Sequence, residues 1–489
     1  MQRNYYEQKG VDAWREGEVP HYVTSNPTVA RAYAAIIAAY LRDVQPTAPV
    51  TIVELGSGHG RFAYHLLKSL AHFHPDLPPY QYIMTDFAQQ NIDEWRQHSR
   101  LQQFFNSGTV DIALFDAAKT DHLDLQISGK TIEAGGLKGP IIVIANYLFD
   151  SIPHDLFKVE GGRLFEGLAT ITGMPPVTNG LSPAQIIEKI DLDYVYALVE
   201  LPHYKQPALD GVLQYYAENF DNTNILFPNT GIDCLERLRK LSQGEIMVLS
   251  ADKGYHRAED IEDRDAPGLV NHGSFSYSVN YHAFARYMIN SGGKALTPSY
   301  QHHSINVVAL LSGDHDFTHT KLAYDANVER FGPDTFFVIK THLERVLDKM
   351  ELHEIIAYLR LSGYDARLFK LAMPRLSEIT RSASSDQQAE FYQVLLNVWD
   401  MYYPLNEDLA FDIGLLLYEL DFYREALGFL EQSRAEFGPE TPTLYNIALC
   451  YYQLKEWAAA RDLLNEVIKR KPNHRDAKTV LKRINGNLT

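Results

Sequence analysis

Residues 53–60 read Val-Glu-Leu-Gly-Ser-Gly-His-Gly. Gly56, Gly58 and Gly60 alternate with Ser57 and His59, so the backbone can turn sharply and approach a ligand with no Cβ in the way. In a dinucleotide fold the pattern is G-x-G-x-x-G, leading into a helix whose free N–H groups bind pyrophosphate. Here the third glycine comes one position early, and Glu54 stands just ahead of the loop. A carboxylate there suits a cationic ligand better than a pyrophosphate. Two more acids follow in order. Asp86, 32 residues after Glu54 and just before Phe87, closes an apolar run where a carboxylate can accept ribose hydroxyls. It could also cap the following helix. Asp116, in Leu114-Phe115-Asp116-Ala117, could take an adenine amino group.

S-adenosyl-L-methionine has an ammonium group and a sulfonium and lacks phosphate, so it is the expected cofactor of such a loop. Methyl transfer from a sulfonium is an in-line displacement in which positioning and desolvation do most of the work. The segment Asn146-Tyr147-Leu148-Phe149-Asp150-Ser151-Ile152-Pro153 supplies the candidate catalytic groups. The amide oxygen of Asn146 could orient a nucleophilic nitrogen, or Asn146 could join the cofactor ligands. Tyr147 could line the methyl path or donate a hydrogen bond, and Asp150 could take a proton. Asn146 and Asp150 also suit plain turn and cap roles. Nineteen histidines invite a metal, notably His302-His303 with His272 and His282, but no H-x-x-x-H pair or cysteine partner supports one. No metal is expected.

The elements that must position these groups are visible as alternating apolar runs and helical stretches. Residues 24–42 read as a helix, with Ser25 or Asn26 as N-cap and Pro27 just inside. Strand candidates are 50–55, 80–86, 110–117, 140–150, 194–201, 245–252 and 304–312, with helices at 61–70 and 88–98 among them. Val- and Ile-rich strands separated by helices imply a parallel sheet covered on both faces. The expected fold is α/β, a seven-stranded Rossmann-like domain over residues 1–312 with an N-terminal helical extension to about residue 45. A polar, acidic linker at 313–333 follows. The acidic stretch 259–265 reads as a solvated loop, which could instead attract a basic substrate.

From 334 to 489 the chain is expected to be all-α. Gly414 and Ala448 are 34 residues apart, as are Ala426 and Ala460, and Leu430 and Leu464. Small residues where helices cross, a large apolar residue four positions later, and a Pro stop at Pro472 are the tetratricopeptide pattern. The clearest units are 407–440 and 441–474. Two units cannot bury their faces alone, so the helices of 334–406 are expected to share the stack.

The glycine loop and its three strand-end acids, in an alternating β/α chain, resemble the Rossmann-like S-adenosylmethionine methyltransferases over roughly residues 20–312. A narrower resemblance lies in Asn146, Phe149, Asp150 and Pro153, which match the N-E-F-F-D-x-x-P segment of the MidA-like methyltransferases, a group that includes the mitochondrial complex I assembly protein-arginine methyltransferase. His21-Tyr22-Val23-Thr24-Ser25, Asp252-Lys253-Gly254-Tyr255 and residues 272–288 are similar to further stretches of that family. The family's Glu after the Asn is Tyr147 here, which removes an acid that could hold a guanidinium. Asp150 and Glu200 are the available substitutes.

The chain has 489 residues, 45% hydrophobic and 22% charged, the mixture of a folded soluble protein with sizeable cores. Its 45 bases and 62 acids leave −17, which argues against nucleic-acid or anionic-membrane binding. Cys234 and Cys450 suit a reducing compartment, and the N-terminus lacks the apolar run of a signal peptide. A cytoplasmic methyltransferase acting on a protein or peptide recruited by the helical repeats is the expected function. Two alternatives are a non-catalytic scaffold and a small-molecule methyltransferase whose repeats make a homodimer.

Overall fold

The computed structural model describes residues 9–11, 22–172, 191–268, 270–271 and 275–487. Eleven strands build its two main sheets: β1 (Val50–Leu55), β2 (Tyr80–Asp86), β3 (Val110–Leu114), β4 (Ile141–Asn146), β5 (Asp155–Glu160), β6 (Arg163–Thr172), β7 (Asp191–Val199), β8 (Asn222–Phe227), β9 (Ile246–Asp252), β10 (Lys294–Leu296) and β11 (Asn306–Leu311). The larger sheet has the order β10-β11-β9-β4-β1-β2-β3. Strands β3, β2, β1, β4 and β9 run parallel to one another, while β11 pairs antiparallel with β9 and with β10. The sheet is therefore mixed, where an all-parallel one was expected. Every residue of β1, β9 and β11 is buried, which is why these strands read as mostly apolar runs without alternation.

One expected strand belongs elsewhere. The run 194–201 falls in β7, which joins a separate antiparallel sheet of order β8-β5-β6-β7 inserted between β4 and β9. The seventh place in the main sheet goes to the three-residue β10, too short to stand out in sequence.

Helix α1 (Pro27–Val44) begins where Pro27 fixes the first turn. The Asn26 side chain accepts from the N–H groups of Thr28 and Val29, so Asn26, rather than Ser25, is the cap. Tyr33, Ile36, Ile37 and Tyr40 form its buried stripe. Helices α2 (Arg61–Phe73) and α3 (Gln89–Gln97) follow β1 and β2.

The polar segment read as a linker at 313–333 is largely helical, with α4 at Thr318–Tyr324 and a π-helical turn at Asp325–Arg330. Three of its apolar residues anchor it: Phe317 stacks on Tyr40, Tyr324 donates to the Val307 carbonyl, and Val328 is buried, while Leu322 stays exposed. Asp43, near the end of α1, fastens the segment. Its carboxylate accepts from the backbone N–H groups of His319 and Thr320 and from the Thr320 hydroxyl, with His319 Nδ1 at 2.7 Å. Burial pushes the Asp43 carboxyl up, but these Thr320 and His319 hydrogen bonds outweigh it and hold it below the usual range.

The chain divides into two compact units, Met1–Val338 and Ile339–Thr489. In the second, Ala366–Ile379 packs on Leu409–Glu419, and the pairs Leu409–Glu419 with Tyr423–Phe437 and Thr441–Gln453 with Trp457–Arg470 form helical hairpins. The small residues sit where helices cross. A Cβ on Gly414 would lie 2.7 Å from Leu430, and Ala448, Ala460 and Leu464 share one core.

Asp43→Ala is expected to lower the stability of the first unit by about 2 kcal/mol at pH 7, since it strands two backbone donors and a hydroxyl. The loss should shrink as pH falls through the depressed Asp43 pKa, where the wild-type carboxylate is itself protonated. Urea denaturation at pH 7 and at acid pH, with hydrogen exchange at Thr320, checks both statements.

Candidate functional site

Register places the candidate residues along one edge of the main sheet. Leu55 pairs with Ala145, and Ala251 pairs with Asn146, so the glycine loop after β1, Asn146 at the end of β4 and Asp252 at the end of β9 lie side by side. The β2 end brings Asp86 to the same edge. Ligands of open α/β sheets bind at such carboxyl-terminal edges.

The loop is held by a closed set of hydrogen bonds. Gly56, Gly58 and Gly60 have φ of 64°, 55° and 82°, the left-handed region in which a side chain would be strained. The Ser57 N–H donates to the Thr85 carbonyl, the Thr85 hydroxyl to the Glu54 carbonyl, and the Trp95 indole to the Gly58 carbonyl. Asp86 fixes the middle of the loop. Its Oδ2 accepts from the Gly58 N–H at 3.2 Å and its Oδ1 from Ala88 at 3.0 Å. Asp86 does not cap the following helix, whose N-cap is Ala88 with no side-chain cap bond; it closes a turn spanning Phe87, and the same carboxylate ties β1 to β2.

Glu54 is 4% exposed. Both of its hydrogen bonds, from the Ser57 hydroxyl at 2.8 Å and the Tyr82 hydroxyl at 3.0 Å, go to Oε2. Oε1 has no hydrogen-bond donor among the described residues. Burial pushes the Glu54 carboxyl up to about 7, against the pull of Ser57 and Tyr82, and Asp86 adds to the rise. A buried carboxylate with one oxygen unpaired is an attractive place for a cation.

Asn146 sits differently from the sequence expectation. Its Oδ1 accepts from the Tyr33 hydroxyl at 2.8 Å, so the amide oxygen expected to orient a nucleophile is already engaged. What the amide offers is Nδ2, buried and without a partner among the described residues. Tyr33 carried no signal in the sequence, because it lies 113 residues away on an apolar helix face. Tyr147 takes φ 47°, rare for a residue with a side chain, with its N–H on the Ala251 carbonyl. Burial, then the nearby Asp252 and Asp150, raise its hydroxyl pKa.

Asp150 accepts from the Ser151 hydroxyl, and its N–H donates to Asp252 Oδ2 at 3.2 Å. The structure adds Asp252 to the site. It is fully buried, and burial with Asp150 beside it pushes its carboxyl well up. Burial lifts Asp150 less, to about 6, because Ser151 and Lys253 hold it down. The signal for Asp252 was present, since Ile246–Asp252 ends in an acid as Tyr80–Asp86 does.

Asp116 departs from expectation. Strand β3 stops at Leu114, and Asp116 folds into the turn beyond it, accepting from the Ala118 N–H and pairing with Lys119. Ala117 gives its carbonyl to Arg237. In the acidic stretch 259–265, Ile261 is buried and the Arg264 carbonyl accepts from Asn224 on β8, leaving Glu259, Glu262, Asp263 and Asp265 exposed. The histidines stay apart: His282 meets the Tyr216 hydroxyl, His302 lies beside His256, and His272 is outside the described residues. Among the described residues no group of three or more His, Cys, Asp or Glu could hold a metal ion, and no helix is long and apolar enough to cross a membrane.

Comparison with known proteins gives three findings. The sequence model of the S-adenosyl-L-methionine-dependent methyltransferase family matches residues 32–297, and a tetratricopeptide-repeat model matches residues 417–484. Intraflagellar transport protein 70A of Danio rerio is 40% identical over 63 residues, which is 13% of this chain and 10% of that relative's length. Two solved structures from Burkholderia thailandensis are each 12% identical. One, an uncharacterised superfamily protein, has a TM-score of 0.38 over 65% of this chain and 89% of its own. The other, of the same superfamily and bound to S-adenosyl-homocysteine, has 0.37 over 60% and 80%.

Because Glu54 is raised to about 7 in the folded state and has an ordinary pKa when unfolded, its ionisation opposes folding. The stability it permits is full below the unfolded value and is lost as pH rises through 7. Wild type should therefore lose about 3 kcal/mol between pH 4 and pH 8 from this group, and Glu54→Gln should remove that part of the slope. Denaturant titrations across the range test it; an unchanged slope in the variant contradicts the assignment.

Proposed function

The chain belongs to the S-adenosyl-L-methionine-dependent methyltransferase family, and from that premise we propose that it methylates a protein or peptide recruited by its tetratricopeptide-type repeats. The observation that carries the cofactor site is Oε1 of the buried Glu54, an oxygen with no hydrogen-bond donor among the described residues, beside a glycine loop of left-handed backbone. The residues present fit this cofactor. Glu54 would meet its ammonium group, Gly56, Ser57, Gly58 and Gly60 would let it approach the backbone, and Asp86 with Phe87 would face its ribose. Asp116 and Ala117 would border its adenine. When bound, the cofactor supplies an electrophilic methyl group on a sulfonium.

The chain's own residues bind, orient and exclude water. Tyr33 holds the Asn146 amide so that Nδ2 is the group presented, and a donor there would fix a carbonyl or carboxylate oxygen. Asp150, lifted to about 6, is ionised at neutral pH and can receive a proton from an acceptor nitrogen. Tyr147, held protonated, can donate but not accept a proton there. A repeat stack bound to a substrate raises the concentration of that substrate at the tethered site. The free, buried Cys234 and Cys450 support a cytoplasmic setting.

With labelled cofactor and a cell lysate, the full chain is expected to place label in protein. In the same assay Asn146→Ala should keep cofactor affinity within a few-fold while lowering the methylation rate by about a hundredfold, the scale of one lost orienting contact. Label confined to small molecules would count against the protein substrate. A large loss of affinity with unchanged turnover would make Asn146 a cofactor ligand instead.

A further inference from the structure

The inserted antiparallel sheet, of order β8-β5-β6-β7, carries a cleft of about 250 Å³ separate from the glycine loop. Its polar walls are His154, Asp155, Glu166, Tyr194 and Tyr277, with Leu168 among the apolar ones. Phe157 pairs with Glu166, which puts Asp155 and Glu166 on the same face of neighbouring strands. Glu166 has no ion-pair partner among the described residues, and no Lys or Arg lines the cleft.

The hydrogen-bond inventory of these walls is one-sided. His154 Nε2 lies 2.6 Å from the Phe149 carbonyl, an acceptor only, so that nitrogen carries the hydrogen. Burial lowers the His154 pKa, so the ring is neutral and Nδ1 is a bare acceptor; that atom is buried and has no partner among the described residues. The Tyr194 hydroxyl spends its hydrogen on the Pro267 carbonyl and can only accept from a ligand. Asp155 is already donated to by Tyr204, and Glu166 beside it adds negative charge. Two carboxylates, an orphan imidazole nitrogen and an accepting phenol call for a group rich in N–H donors and positive in charge.

We propose that this cleft is a cation subsite that receives the ammonium or guanidinium group of a basic residue flanking the methylated residue of a peptide substrate. The inference rests on the protein-substrate reading above and adds a sequence preference to it. The cleft shares a wall with the candidate catalytic segment, since His154 is bonded to the Phe149 carbonyl and the Tyr277 N–H donates to the Asp150 carbonyl at 3.0 Å. The −17 net charge of the chain favours the same kind of partner.

Direct titration of the full chain with short blocked peptides tests the subsite without any methyl transfer. The probes are Gly-Lys-Gly and Gly-Arg-Gly, their neutral isosteres with norleucine and citrulline, and free n-butylammonium. The basic peptides should bind about tenfold more tightly than the neutral ones, the scale of one half-buried charge-assisted contact. Glu166→Gln should erase most of that preference, and Glu166→Lys should abolish it, each with cofactor affinity unchanged as proof of an intact fold. Equal binding of basic and neutral peptides, or a preference that survives both variants, overturns the subsite. Tighter binding of butylammonium than of the peptides overturns the assignment to a peptide residue. Failure here with methylated protein still formed removes only the subsite; loss of protein methylation in wild type removes the reading beneath it.

Discussion

Four carboxylates, Glu54, Asp86, Asp150 and Asp252, are buried along one edge of the main sheet, and burial pushes each of them upward. Removing charge from water at four neighbouring positions is costly, and the rest of the edge is organised around that cost. Asp86 is stabilised by backbone N–H groups of the glycine loop and the following turn, Glu54 by two hydroxyls, Asp150 by the Ser151 hydroxyl, and Asp252 by the backbone N–H groups of Asp150 and Lys253. The left-handed glycines follow from the same constraint, since the loop must fold back for the Gly58 N–H to reach Asp86. Glu54 Oε1 and Asn146 Nδ2 remain unpaired among the described residues, and on the proposed reading a ligand completes them. An arrangement that opposes folding is retained where it serves binding.

Much of this edge was legible in the sequence because a parallel sheet buries its central strands on both faces. Val50–Leu55, Tyr80–Asp86 and Ile246–Asp252 each appear as an apolar run ending in or carrying an acid, and the acid marks the edge. The misassigned strand shows the limit of that signal. Residues 194–201 are as rich in Val, Tyr and Leu as the central strands, yet β7 pairs only with β6 and leaves Val195 and Leu198 exposed. Composition marks a strand but does not say which sheet it joins. The segment 313–333 failed for the opposite reason: a short helix anchored by Asp43 needs only a few apolar residues and has no long period. Tyr33 was invisible because a contact spanning 113 residues leaves no local pattern.

The two units were legible by different means. The first is read from single residues at strand ends, the second from a 34-residue spacing that repeats small residues at helix crossings. The core of Leu444, Ala448, Ala460 and Leu464 shows the packing reason for that spacing. A site that needs a desolvated, oriented acceptor is, on the proposed reading, joined to a repeat stack that would bring the substrate, which divides the work between chemistry and selection. On the proposed reading, the acidic cleft of the inserted sheet would add a third level, discriminating among the residues that the repeats bring near.

On the proposed reading the cofactor's cation seats itself against Glu54, and the protons exchanged on binding report whether it does. Calorimetric titration of S-adenosyl-L-methionine near pH 6.5, in buffers of different ionisation enthalpy, gives the number of protons exchanged on binding. A cation beside a carboxyl held near 7 must lower its pKa, so a net release of about half a proton or more is predicted, and it should vanish in Glu54→Gln. No proton exchange in the wild type, or net uptake, would contradict the account.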